Sequence, residues 1–311
     1  MSDSTTYHPD IFVTLKDLLA KEGSAKGFSF LAKKQKVRSI LGGKHASKLR
    51  GRGLDFEEVR NYVPGDDIRN IDWKVTARTQ KTHTRVYSEE KEKPVLIIVD
   101  QSKSMFFGSQ KKMKSVVAAE LAALTAFKIL KDGDRVGGIV IADNGIDIVF
   151  PKRDRKNVVR FFEKIVARNH ELKDSNPFQF DTVQKEIFAK VRNIVTHDFL
   201  IVIISDFYRY APKTIKNIIS LSQHNDVIIA KVFDPMEQII PKTKLIVGDG
   251  QQQLLVDGEN KKVRQRFFNG FTDEFNKFET EMKKHRIPIL KFDTVNDVDE
   301  QLKNIFKGRK K

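Results

Sequence analysis

The fold is decided by the stretch Val95-Leu96-Ile97-Ile98-Val99-Asp100-Gln101-Ser102-Lys103-Ser104-Met105. Five apolar residues in succession, four of them β-branched, read as a central parallel strand covered on both faces. Asp100 closes the run, and in open α/β sheets ligands bind at the carboxyl ends of the strands. A loop curling after the strand brings the side chains of Asp100, Ser102 and Ser104 to one spot. One carboxylate and two hydroxyls make a hard-oxygen set that suits Mg²⁺, with water completing an octahedron. The same residues also read as a helix start, the serines capping and Asp100 favouring the helix dipole. Asp206 follows the other strongly apolar run, residues 199–205, and belongs on the same rim of the sheet.

Outward from this stretch the periodicity alternates. Residues 111–130 form a long helix with a broad apolar face of Val116, Val117, Ala119, Leu121, Leu124, Phe127 and Leu130. Residues 136–142 and 146–150 read as a hairpin around Asp143-Asn144-Gly145. Helices at 156–167 and 178–191 precede the strand at 199–205, and a helix at 214–224 precedes a strand at 226–233. A small hairpin (245–247 with 254–256), a long helix (261–285), a strand (287–293) and a short helix follow. This order predicts a doubly wound, mainly parallel α/β sheet with one antiparallel edge.

Upstream the pattern differs. Residues 11–21 and 28–41 read as helices, and 54–90 as a β-rich stretch broken by the turn Pro64-Gly65-Asp66-Asp67. Ile71 and Trp73 alternate with Asp72 and Lys74, which predicts the first two in a core and the second two outside. Four segments result: a basic helical arm at 1–53, a β-rich block at 54–92 packed on the main domain, the α/β domain at 93–300, and a basic tail at 301–311.

Net charge is +16 over 311 residues, and it is unevenly placed. Residues 21–52 hold ten Lys/Arg against the single acid Glu22, and residues 302–311 hold five with no acid. Such ends are solvated tails or a grip on something anionic, whether nucleic acid, lipid surface or acidic protein. There is no cysteine, which excludes disulfides, thiolate metal sites and cysteine nucleophiles. The apolar runs fall far short of the roughly 20 residues that span a bilayer, and a soluble, cytoplasmic protein is expected.

Two motifs carry a resemblance. Residues 95–105 with the helix behind them, and Ile203-Ile204-Ser205-Asp206, resemble the metal-ion-dependent adhesion site of von Willebrand factor A domains. The resemblance implies Asp100, Ser102 and Ser104 as first-loop ligands and Asp206 as the later acidic member. The family's usual Thr is missing from Asp174-Ser175-Asn176-Pro177, where Asn176, or alternatively Ser175, would stand in. The block GLDFEEVRNYVPGDDIRNIDW at 53–73, with Thr76-Ala77-Arg78, resembles the signature of family 58 of the domains of unknown function. That family places the block before an A-type domain and is associated with MoxR-type AAA+ ATPases. The block reads as a structural brace, or as a partner-facing surface of Arg60, Arg69 and Arg78 with Asp66, Asp67 and Asp72.

Enzyme readings find little. No Gly-x-x-x-x-Gly-Lys-Ser/Thr loop is present, so the chain is no P-loop ATPase. A haloacid-dehalogenase-like phosphatase needs an acid where Ser102 stands. The seven histidines (His8, His45, His83, His170, His197, His224, His285) show no ligand spacing. The expectation is a metal-ion-dependent protein-binding adaptor, carrying Mg²⁺, that recruits a client to a MoxR-type ATPase. A nucleic-acid-binding protein using the basic ends is the first alternative, and a Mg²⁺-dependent hydrolase the second.

Overall fold

The computed structural model describes residues 8–26, 54–89, 93–174, 180–207, 212–248 and 253–307. In chain order these form α1 (Leu15–Ala20), β1 (Leu54–Asn61), α2 (Trp73–Thr79), β2 (His83–Glu89), β3 (Pro94–Asp100), α3 (Lys114–Lys131), β4 (Arg135–Ala142) and β5 (Gly145–Lys152). There follow α4 (Arg155–Glu171), α5 (Phe180–Ile194), β6 (Leu200–Ser205), α6 (Pro212–Ser222), β7 (Asp226–Phe233), β8 (Lys244–Gly248), β9 (Gln253–Asp257), α7 (Lys261–Lys284), β10 (Ile289–Asp293) and α8 (Val298–Lys307). They fall into two compact units, 8–26 with 93–307 and, separately, 54–89.

In the larger unit β3 lies inside a six-stranded sheet of order β10-β7-β6-β3-β4-β5. Every neighbouring pair is parallel except β4–β5, the edge hairpin, whose turn uses Gly145 at φ 146°. This is the doubly wound, mainly parallel architecture expected from the sequence. Chain progression reverses between β3 and β6, which makes the gap beyond their carboxyl ends the topological switch point. Alternation along the strands splits the core in two. Val95, Ile97, Val99, Leu200, Val202 and Ile204 face one layer, and Leu96, Ile98, Ile201 and Ile203 face the other.

Helix α3 is covered on all sides, with residues 114–129 buried throughout. A helix lying on a sheet with its outer face in water would bury only one stripe, so α3 needs a second layer. Residues near both ends of the described chain supply it: Val13, Leu18 and Ala25 from the N-terminal stretch, and Leu302 from α8, join the same core. Two boundaries drawn from the sequence are therefore corrected. Residues 13–25 belong to the folded body and not to a basic arm, and the tail assigned to 301–311 begins inside α8. Charge was the wrong guide in both places, because it flanks apolar residues that α3 requires. The helix expected at 28–41 lies outside the described residues. Among the described residues no helix is long and apolar enough to cross a membrane.

The smaller unit is a β1–β2 antiparallel pair with α2 between the strands. Here Trp73 is corrected: it opens α2 and is 68% exposed, while Asp72 is buried. Asp72 caps the helix, accepting from the amides of Lys74 and Val75 at 3.0 and 3.1 Å, and takes Arg85 Nε at 2.8 Å. The period-2 pattern failed because an Asp N-cap started a helix where a strand was expected.

Candidate functional site

Strands β3 and β6 pair with Val99 opposite Ile204, so Asp100 and Ser205 come next on adjacent strands. Ser205 Oγ donates to Asp100 Oδ2 at 2.7 Å, and the amide of Ser102 donates to Oδ1 at 2.9 Å. The second bond bends the chain back at once and leaves the hydroxyls of Ser102 and Ser104 3.3 Å apart. Ser102 makes no side-chain capping bond, and α3 begins only at Lys114, with Met113 as its N-cap. The serine hydroxyls are thus not spent on the helix start.

The loop is fixed from several sides. Met105 is fully buried beneath it. The amide of Lys103 donates to Asp143 Oδ2 at 2.8 Å. Gln101, fully buried, donates its amide to Ile141 O at 2.8 Å and Nε2 to Ser115 O at 2.9 Å.

Asp206 also sits at this rim and is buried, but its carboxylate has an internal partner: Lys114 Nζ lies 2.7 Å from Oδ2 and also reaches Glu237. A second buried lysine, Lys231, donates to the backbone carbonyl of Asp206 at 3.0 Å and lies 5.0 Å from the centre of the Phe275 ring. Burial lowers Lys231 to about 8, against the pull of Asp206 and Glu237. Burial alone would lower Lys114 as well, but the charges of Asp206 and Glu237 hold it above the ordinary lysine value. Asp100 is pushed up to about 6 by burial and by the charge of Asp206, against the hydrogen bonds from Ser205 and Ser102.

Each of the five parallel strands ends on an aspartate: Asp143 after β4, Asp100 on β3, Asp206 after β6, Asp234 after β7 and Asp293 on β10. Asp234, fully buried, accepts from Ser109 N and Oγ at 2.8 and 2.5 Å, from Thr294 Oγ1 at 2.6 Å and from Met236 N at 2.9 Å. Nothing in the sequence points to Lys114, Lys231 and Asp234 singly, and Asp143 stands there only as part of a hairpin turn. As a set the aspartates had a visible signal, a largely apolar strand ending in Asp, repeated five times and interrupted by Lys231 and Lys291 in two of them.

The structure therefore brings Asp100, Ser102 and Ser104 together, with Asp206 on the same rim but engaged by Lys114. Ser175 and Asn176 lie outside the described residues. Among the described residues no group of three His, Cys, Asp or Glu side chains gathers in a metal-binding arrangement. The donor chemistry of the first loop, one carboxylate and two facing hydroxyls, nonetheless fits a hard divalent cation, which would depend on those hydroxyls.

In the smaller unit Arg60 pairs with Asp66 at 2.7 Å, and Asp66 Oδ2 also accepts from Val63 N at 3.0 Å. Asp67 accepts from the amide of Arg69 at 3.0 Å. The side chains of Arg69 and Arg78 are exposed. The aspartates of this block thus serve its own turns and caps, and Asp72 pairs with Arg85 instead of with the arginines expected.

The family model described as "Protein of unknown function DUF58" matches residues 58–276. An uncharacterized protein of Mycobacterium tuberculosis is 26% identical over 238 residues, covering 76% of this chain and 70% of its own. Among solved structures, the conserved hypothetical protein BatB from Bacteroides thetaiotaomicron is 15% identical with a TM-score of 0.40, covering 69% of this chain and 97% of its own. The SpRpn10 VWA domain is 12% identical with a TM-score of 0.35, covering 69% and 95%.

Proposed function

Because the chain belongs to the DUF58 family and carries a von Willebrand factor A-like fold, we propose that it is a protein-docking platform whose carboxyl-rim site depends on a divalent cation. The observation that carries this reading is the convergence of Asp100, Ser102 and Ser104 at the switch point of the sheet. Those three residues would hold Mg²⁺, with Asn176 or Ser175 as a further candidate ligand. When bound, the cation supplies an open position for a carboxylate oxygen of a partner protein. The chain's own residues set the rest. Ser205 and the Ser102 amide orient Asp100, Asp143 holds the backbone of Lys103, and Lys114 balances Asp206 so that the rim is not simply a cluster of repelling carboxylates.

The setting we infer is recruitment of a client to a MoxR-type AAA+ ATPase, which would bind the nucleotide in place of this chain. Support for that partner is the resemblance of the block at 53–78. The test is capture of the purified ATPase by the immobilised full chain, in Mg²⁺ and in chelator, with Asp100→Ala as control. Capture in Mg²⁺ that is lost in chelator and in the variant is expected. Equal capture under all three conditions would overturn the cation dependence.

A further inference from the structure

Residues 101–113 link β3 to α3 with only a single 3₁₀ turn, Lys103–Met105, inside them. A connection of that length does not hold one conformation by itself, so its anchors decide where Ser102 and Ser104 point. Two anchors lie far along the chain, with Lys112 N donating to Thr294 O at 3.1 Å and Ser109 N to Asp234. Beside these and the bonds of Gln101 and Lys103 to Ile141 and Asp143, a further set comes from the N-terminal stretch. Met113 N donates to Asp10 O at 2.9 Å, closing the far end of the loop. The ring of Phe12 packs 5.6 Å from that of Phe106 in mid-loop and edge-on to His170 at 5.7 Å. His170 Nε2 in turn lies 2.8 Å from Val13 O.

The near end is reached through a buried relay. Val13 N donates to Asn169 Oδ1 at 2.9 Å, Asn169 Nδ2 donates to Gln101 Oε1 at 3.0 Å, and Gln101 Nε2 donates to Ser115 O at 2.9 Å. Val13, Asn169, Gln101 and Ser115 are all buried. With Val13 N fixing the oxygen of Asn169, only its amide nitrogen is left to face Gln101, so the strap sets the polarity of the relay. Gln101 stands between Asp100 and Ser102.

We propose that residues 10–13 are a positioning strap that holds the 101–113 loop in its site-forming conformation, gripping it at Met113, at Phe106 and, through Asn169, at Gln101. The strap acts on the loop whether or not a cation binds there, so it goes beyond the docking proposal.

The test is hydrogen exchange on the full chain, comparing wild type with Phe12→Ala, Asn169→Ala and the conservative Phe12→Leu. The amides of Lys103, Met105 and Phe106 are the reporters, because their acceptors are Asp143, Ser102 O and Lys103 O and none is bonded to the strap. Both alanine variants are expected to exchange roughly tenfold faster at these reporters, as in local opening. Phe12→Leu should stay near wild type, and the amides of 95–99 and 200–204 should keep their rates in every variant. Unchanged reporters would overturn the proposal. So would equal acceleration across loop and sheet, which would make the segment a general brace. No cation or partner enters the readout, so its failure is distinct from failure of the docking reading.

Discussion

The ammonium of Lys114 lies 2.7 Å from Oδ2 of Asp206, the two side chains being 1% and 3% exposed. Removing two charges from water costs several kcal/mol each, and their attraction offsets that cost only while both are present. Sealed in this way, Asp206 is matched by a cation that the chain itself provides.

Lys114→Met should therefore destabilise the protein by roughly 3–5 kcal/mol in chelator, because it takes one partner out of a buried ion pair. In Mg²⁺ the loss should shrink, since the Asp206 carboxylate lies on the same rim as the oxygens of Asp100, Ser102 and Ser104. Urea unfolding of the variant with and without Mg²⁺ measures both. A loss of the same size in each condition would show that Asp206 has no share in a cation site.

Asp100 gives a pH signature. With its native value raised to about 6, the folded state binds more protons than the unfolded state between about pH 4 and 6. The stabilisation from its protonated form is complete below about pH 4 and is lost as pH rises through about 6. A shift of about two units corresponds to something on the order of 3 kcal/mol. Asp100→Asn keeps the shape and removes the charge. In chelator it should unfold at higher urea than wild type near neutral pH, with the advantage closing toward about pH 4. A variant equally destabilised at both pH values would contradict this.

Asp234 should behave in the opposite way. Burial would raise it, but the hydroxyls of Ser109 and Thr294 and the amides of Ser109 and Met236 hold it below the ordinary carboxylate value. Its contribution is present above the unfolded value and is lost as pH falls. Asp234→Ala leaves these buried donors without their acceptor and should cost roughly 3 kcal/mol near neutral pH, less in acid. Denaturation at the two pH values checks it, and a cost under about 0.5 kcal/mol, the range of a surface substitution, would count against it.

The central sheet was legible because β3 and β6 are uninterrupted apolar runs, and a parallel strand covered on both faces leaves no other pattern. The first-loop residues were legible for the same reason, since a strand end fixes where the next side chains go. Lys114 was not legible. A lysine at a helix start reads as solvated, and the carboxylate that explains it lies 92 residues away in sequence. The strap was hidden in the same way, with 156 residues between Val13 and Asn169. Between residues 115 and 127, α3 carries Glu120 as its single charge, a signal of burial all round that a search for one apolar face passes over.

The most direct test of the cation-dependent site is a set of thermal melts of wild type and Asp100→Ala, each in Mg²⁺ and in chelator. A ligand that binds only the native state at a hundred times its Kd adds about 2.7 kcal/mol. Wild type should therefore melt clearly higher in Mg²⁺ than in chelator. Asp100→Ala should show no such shift, and in chelator the removal of a buried carboxylate beside Asp206 should offset the lost acceptor of Ser205 and Ser102. Identical Mg²⁺ shifts in wild type and variant, or no shift in wild type, would contradict the account.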